Sequence, residues 1–229
     1  MEANAIKGKR EETLETLRET GVVAIIRGYG EDVCLHIAEA CLAGGIRMVE
    51  VTFDQTRADG AERTARAIAA IGRAFGGRLS VGAGTVLTVG QLRMARDAGA
   101  AFAIAPNVDA EVIAAGVAEG LVSIPGAMTP SEVVAAWKAG ADYVKLFPAS
   151  QLGAGYVKTI RAPLAHIPLF AVGGVGADNA AAFLAAGCAG IGVGGPLTRR
   201  EWIDSGAWDK IEENARAIVA AVEAGRAAR

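Results

Sequence analysis

One phrase recurs along this chain: an Ala-rich helical stretch, one or two glycines, then a short run rich in Val and Ile. It appears as LAGGIRMVEVT (42–52), RDAGAAFAIA (96–105), AEGLVSI (118–124), KAGADYVKLF (138–147) and AAGCAGIGV (185–193). The repeat interval is about two dozen residues, the size of one strand–helix unit. A glycine just past each helical pattern supplies the left-handed residue that stops a helix. The apolar runs predict strands at 22–27, 47–52, 79–83, 101–105, 121–124, 142–147, 168–172 and 189–193. Helical patterns lie between them at 31–43, 58–74, 88–98, 109–118, 130–139, 153–161 and 177–186, with a last one at 207–224. Thr129-Pro130-Ser131-Glu132 reads as a cap followed by proline at the first helical position, and Asp109 as a second cap.

Eight strands, each followed by a helix, predict a closed (β/α)8 TIM barrel; a doubly wound open sheet is the alternative. Residues 9–19 add an N-terminal helix, expected to cover the barrel's bottom with Leu14 and Leu17 rather than to bind a partner. The 229 residues contain no long linker and no break in composition, so one domain spanning 1–229 is expected. Hydrophobic residues make up 52% of the chain, enough for a large core.

Net charge is −2 with no basic block, which argues against a nucleic-acid partner. Every apolar stretch is cut by Gly, Pro or charge, so no membrane span is expected. The first residues are charged and lack the apolar segment of a secretory signal. Cys34, Cys41 and Cys188 show no paired spacing and read as buried hydrophobes, which suits a reducing cytoplasm.

In such a barrel the chemistry sits at the carboxyl ends of the strands. Three apolar strands end there in a charged group: Arg27, Glu50 and Lys145. Strand parity sets Glu50 and Thr52 on one face and Val49 and Val51 on the other. In the same way Lys145 and Phe147 oppose Val144 and Leu146. The outward face must be apolar to meet the helices, so Glu50 and Lys145 point into the barrel mouth. On these residues alone a structural ion pair and a reactive amine with a proton-moving carboxylate are equally open. Thr52 and Thr85 offer hydroxyls to orient a substrate. Gly173-Gly174 and Gly194-Gly195 follow the last two strands, where barrels bind phosphate through backbone N–H groups. His36 and His166 are isolated, and no His/Cys/carboxylate cluster has metal-ligand spacing. A Mg²⁺ needing few protein ligands stays open at Glu50. GAGT (82–85) lacks the spacing of a nucleotide-binding fingerprint.

The motifs VVAIIRG (22–28), GGIRMVEVTF (44–53), VGAGTVLT (81–88), FAIAPNVD (102–109), IPGAMTPSE (124–132), VKLFPAS (144–150), GGV (173–175) and GVGG (192–195) come in order. Together they resemble the 2-keto-3-deoxy-6-phosphogluconate (KDPG) / 4-hydroxy-2-oxoglutarate (KHG) aldolase family, whose relatives include the 2-keto-3-deoxy-6-phosphogalactonate aldolases. The resemblance runs from residue 20 to 198. It implies a (β/α)8 barrel, a homotrimer, and Schiff-base chemistry on a small keto-acid substrate with no metal or other cofactor. It implies Lys145 as the Schiff-base lysine and Glu50 as the general acid/base. Thr85, Pro106 and Phe147 would surround the pyruvyl group, and Gly173, Gly174, Gly194 and Gly195 would hold the phosphate.

Three departures stand out. An Arg found after the EVT motif in some members is absent from Phe53-Asp54-Gln55, which leaves Arg27 for the substrate carboxylate. Val172 precedes Gly173-Gly174 where many gluconate enzymes have Thr, as in the galactonate branch. Pro196 follows the last glycines where a Ser is common, and it brings neither hydroxyl nor N–H. The rival readings are a phosphosugar isomerase or epimerase with an ion-paired Glu50 and Lys145, and a non-catalytic sugar-phosphate-binding module.

Overall fold

A computed structural model describes residues 2–228, with side chains from residue 7 onward. The chain starts with α1 (Glu2–Thr20) and then alternates. In order come β1 (Val22–Ile26), α2 (Glu31–Ala43), β2 (Met48–Thr52), α3 (Gly60–Phe75), β3 (Ser80–Gly84), α4 (Val89–Asp97), β4 (Phe102–Ile104) and α5 (Ala110–Ala118). The second half continues with β5 (Val122–Ile124), β6 (Gly126–Ala127), α6 (Pro130–Lys138), β7 (Val144–Leu146), α7 (Ala149–Arg161), β8 (Leu169–Val172), α8 (Ala177–Ala185), β9 (Gly190–Val193), α9 (Arg200–Asp204) and α10 (Trp208–Ala227).

All pairings are parallel, in the order β5-β4-β3-β2-β1-β9-β8-β7-β6. The two ends of that order are one extended strand, interrupted at Pro125, which has no N–H for the ladder. Its first half pairs with β4 through Phe102↔Val122 and Ile104↔Ile124. Its second half pairs with β7 through Gly126↔Lys145. The Ser123 carbonyl accepts from Asp142 N–H at 3.0 Å, and the Pro125 carbonyl accepts from Lys145 N–H at 2.8 Å. The nine segments are therefore eight strands, and the sheet closes into the expected (β/α)8 barrel. An open sheet would leave two different strands unpaired at its ends.

Parity divides the core in two. Val23, Met48, Phe102, Ile104, Val122, Ile124, Tyr143 and Phe170 fill the barrel's interior together with Leu17 of α1. Val49, Val51, Val144 and Leu146 face outward into the larger core with Ile37, Ile68, Ile160 and Leu184 of the surrounding helices. Leu17 is buried and Leu14 packs beside it, so α1 closes the bottom as expected. Burying Leu17 contributes about 1.5–3 kcal/mol. The large interior rings fit because two strands carry glycine opposite them. A methyl group on Gly82 would stand 2.6 Å from Phe102 Cγ, and one on Gly190 would stand 2.6 Å from Phe170 Cε2.

The punctuation expected from the sequence is present. Thr129 and Glu132 form a reciprocal capping box, and Asp109 accepts from Glu111 and Val112 N–H at 3.0 and 3.1 Å. Gly45, Gly99, Gly120, Gly140 and Gly187 take φ between +80° and +110° before their strands. At the Gly44-Gly45 pair the left-handed residue is the second, since Gly44 has φ −80°. Five differences are found. α1 begins at Glu2 and α10 extends to Ala227. The fifth strand runs on past Pro125. α7 begins at Ala149 and breaks at Gly153 (φ +75°), so the predicted 153–161 helix is its second part. The short helix α9 was not expected; its five residues are too few for a periodic signal. Among the described residues no helix is long and apolar enough to cross a membrane. His36 stacks on Trp208 at 5.0 Å and His166 meets Trp137 edge-on at 6.3 Å, as side chains with packing roles do.

Candidate active site

β2 and β7 each deliver one charged side chain to the carboxyl end of the interior. Glu50 is 1% exposed and Lys145 is 5% exposed. The register fixes their surroundings: Glu50 lies level with Ile25 and Gly82, and Lys145 with Gly126 and Phe170. Burial pulls the Lys145 amine below the ordinary lysine range; nearby Glu50 opposes this and Arg27 adds to it. Burial likewise pushes the Glu50 carboxyl upward, against Lys145 and Arg27. The two groups sense each other, yet no N···O contact within 4.0 Å joins them among the described residues. A locked structural ion pair is therefore not what this site contains. Among the described residues no group bonds Glu50 Oε2 or Thr52 Oγ1, so both are available to a bound molecule.

Glycine sets the space around the carboxylate. A methyl group on Gly84 would stand 2.7 Å from Glu50 Cδ and 2.9 Å from Thr52 Cγ2. Thr85 follows with φ +56°, a left-handed state that costs a β-branched residue on the order of 1–3 kcal/mol. Its hydroxyl accepts from Arg27 Nη2 at 3.4 Å. Across the mouth, Lys145 Nζ lies 4.8 Å from the centre of the Phe147 ring. That ring is 37% exposed, so it forms the rim. Pro106 abuts Gly126, the backbone partner of Lys145. Val172 is buried and packs on Gly192.

The two glycine turns stand side by side. Gly173 and Gly174 have φ +96° and +70°. Side chains there would meet Phe147 at 3.1 Å and Ser150 Cβ at 2.6 Å. A methyl on Gly176, at the start of α8, would come 3.0 Å from Pro196 Cβ. The Gly194 carbonyl accepts from Leu197 and Thr198 N–H at 2.8 and 3.0 Å, which closes the second turn. Gly195 is exposed, with open space where a side chain would be. The candidate site residues read from the sequence, Arg27, Glu50, Thr52, Thr85, Pro106, Lys145, Phe147, Val172 and the two glycine pairs, thus lie at or just beyond the carboxyl ends of their strands. Cavity size alone does not find this place. A cleft of about 510 Å³, lined by Lys9, Arg47, Arg73 and Arg78, lies under α1 at the opposite end.

A family model for KDPG and KHG aldolase matches residues 13–214. The chain belongs to that family. Its members are aldolases, carbon–carbon lyases. The 2-dehydro-3-deoxy-6-phosphogalactonate aldolase of Escherichia coli strain K12 is 35% identical over 208 residues, covering 90% of this chain and 95% of that protein. The 2-dehydro-3-deoxy-phosphogluconate aldolase of Treponema pallidum is 37% identical, covering 76% and 79%. Among solved structures, native KDPGal superimposes with a TM-score of 0.80 at 34% identity, over 89% of this chain and 95% of that one. The KDPG aldolase of Legionella pneumophila, with pyruvate captured as a covalent carbinolamine, superimposes with a TM-score of 0.78 at 29% identity, over 89% and 96%. Placed in this family, the mouth also contains two residues to which sequence reasoning gave no role. Gln55 bonds the Thr85 carbonyl from outside, and Gln91 bonds Gln55. Gln91 falls three residues after Thr88, the spacing of a capping box, whereas nothing local marks Gln55.

Proposed function

We propose that the protein is a class I aldolase cleaving a 2-keto-3-deoxy-6-phospho-sugar acid to pyruvate and glyceraldehyde 3-phosphate. The observation that carries this is the pair at the mouth: a buried lysine with lowered proton affinity beside a buried carboxylate to which it is not bonded. Lys145 Nζ adds to C2 of the keto acid, and loss of water gives an iminium. The iminium draws in the electrons of the breaking C3–C4 bond while Glu50 takes the proton of the C4 hydroxyl. The aldehyde leaves, the enamine is protonated at C3, and hydrolysis frees pyruvate and Lys145. Arg27 and Thr85 hold the keto-acid carboxylate, with Thr52, Pro106, Phe147 and Val172 shaping the pocket. Gly173, Gly174, Gly194 and Gly195 meet the phosphate with backbone N–H groups. The carbinolamine on the Legionella pneumophila relative supports the same covalent route here. The absence of an ion pair between Glu50 and Lys145 weighs against the isomerase reading.

Pyruvate release from the two C4 epimers, gluconate and galactonate type, and from 4-hydroxy-2-oxoglutarate should be measured in parallel. The phosphorylated acids are expected to be cleaved with the higher kcat/KM. A chain that releases pyruvate from none of the three, and forms no adduct with pyruvate and borohydride, is not an aldolase of this kind. The family resemblance also supports a homotrimer, so a solution mass near three times 23.3 kDa is expected. A monomer by mass photometry overturns that part. The burial of Cys34, Cys41 and Cys188 fits the cytoplasm, which recovery of the protein in an oxidising compartment would contradict.

A further inference from the structure

Thr85 holds a backbone state that threonine keeps only when its neighbours impose it; beside the ladder bond from Val86 N–H to the Ile104 carbonyl at 3.2 Å, the turn is held by two glutamines outside the mouth. Leu87 N–H donates to Gln91 Oε1 at 2.8 Å, and Gln91 Nε2 donates to Gln55 Oε1 at 2.9 Å. Gln55 Nε2 then donates to the Thr85 carbonyl at 3.1 Å. The orientations agree along the whole chain, with each amide oxygen accepting and each nitrogen donating. Gln91 is fixed from its own helix, where its N–H donates to the Thr88 cap at 3.1 Å. One residue before Thr85, the Gly84 carbonyl accepts from Phe53 N–H at 2.8 Å. The turn after β2 therefore grips two successive carbonyls, Gly84 through Phe53 and Thr85 through Gln55. The far side of Thr85 presents its hydroxyl to Arg27, an exposed guanidinium with no acidic partner within 4.0 Å among the described residues.

We propose that Gln55 is a positioning residue for the planar 2-oxo-carboxylate end of the substrate. It acts through Thr85: its bond to the Thr85 carbonyl, steadied by Gln91, keeps the Thr85 hydroxyl turned inward, and that hydroxyl steadies Arg27. Without the strap Thr85 relaxes out of its left-handed state, and the carboxylate loses two partners at once. Lys145 lies on β7, away from the strap, and Glu50 lies inside β2, held by its ladder to β1 and β3 ahead of the turn that carries Gln55. The inference rests on the aldolase reading and adds to it a determinant of keto-acid affinity that does not touch the reacting atoms.

Gln55→Met keeps the side chain's length and removes both of its hydrogen bonds. Borohydride trapping of pyruvate should be followed against pyruvate concentration. The half-saturating concentration is expected to rise about tenfold, the size of one lost hydrogen bond. The limiting trapping rate and its pH profile should stay within about twofold, because the nucleophile is not engaged by the strap. Gln91→Met, acting through Gln55, should give a smaller rise, and the double variant should match Gln55→Met alone. Unchanged half-saturation in Gln55→Met overturns the inference. So does a loss confined to the limiting rate and melting temperature, or full additivity in the double variant. If the wild type forms no adduct at all, the aldolase reading falls and the inference with it; if it forms one normally and Gln55→Met traps like wild type, only the inference falls.

Discussion

Lys145→Met is expected to abolish adduct formation with pyruvate and borohydride and to lower turnover by about 10⁴-fold or more. The amine is the nucleophile of the proposed route, and among the described residues no second lysine is buried in the barrel. The same substitution should leave the melting temperature unchanged or raise it. Methionine fills a similar volume and carries no charge to desolvate. The pH dependence of that gain follows from linkage. Burial holds the Lys145 amine below its ordinary value of 10.5, so between the folded value and 10.5 the unfolded chain binds more protons. The wild type therefore loses stability as pH falls through this window, and the loss is complete below the folded value. Lys145→Met escapes it, so its advantage is fully developed below the folded value and vanishes above 10.5. Mass spectrometry of the trapped protein decides the first point and melting curves across pH the second. An adduct that survives in Lys145→Met removes the lysine from the mechanism.

Glu50→Gln should cut turnover by roughly 10²–10⁴-fold, the usual contribution of a positioned acid/base, while pyruvate is still trapped on Lys145. The amide keeps the shape of the side chain and cannot take the C4 hydroxyl proton. Two opposite shifts should appear in the pH profile of trapping. The Glu50 carboxylate raises the proton affinity of Lys145, so Glu50→Gln moves the inflexion to lower pH. Arg27 lowers it, so Arg27→Met moves the inflexion to higher pH. Stopped trapping assays across pH give both values. Wild-type turnover in Glu50→Gln, or shifts of the same sign in the two variants, would show that these charges do not meet at the lysine.

The barrel was legible because the signals for it are local and repeated. Each glycine after a helix and each short Val/Ile run reports one boundary, and alternation along two strands was enough to aim Glu50 and Lys145 inward. The interruption at Pro125 was not legible as such. Its effect depends on β4 and β7 flanking the same segment, which only the closed sheet reveals. Whether Glu50 and Lys145 form an ion pair was equally out of reach, because strand parity fixes direction and not separation. Gln55 escaped for another reason. A polar residue in a turn looks like any other until the partner 30 positions away, the Thr85 carbonyl, is seen beside it.

The interior changes character within one residue step along the strands. Phe102 and Phe170, accommodated by Gly82 and Gly190, form with Met48, Tyr143 and Leu17 an apolar plug between the charged pair and α1. Protons exchanged by Lys145 and Glu50 with bulk water must then travel by the same opening that admits the substrate. A molecule seated in that opening isolates the pair from solvent. In the proposed route the proton taken from the C4 hydroxyl would then stay at hand for C3, and its exchange with solvent would follow product departure.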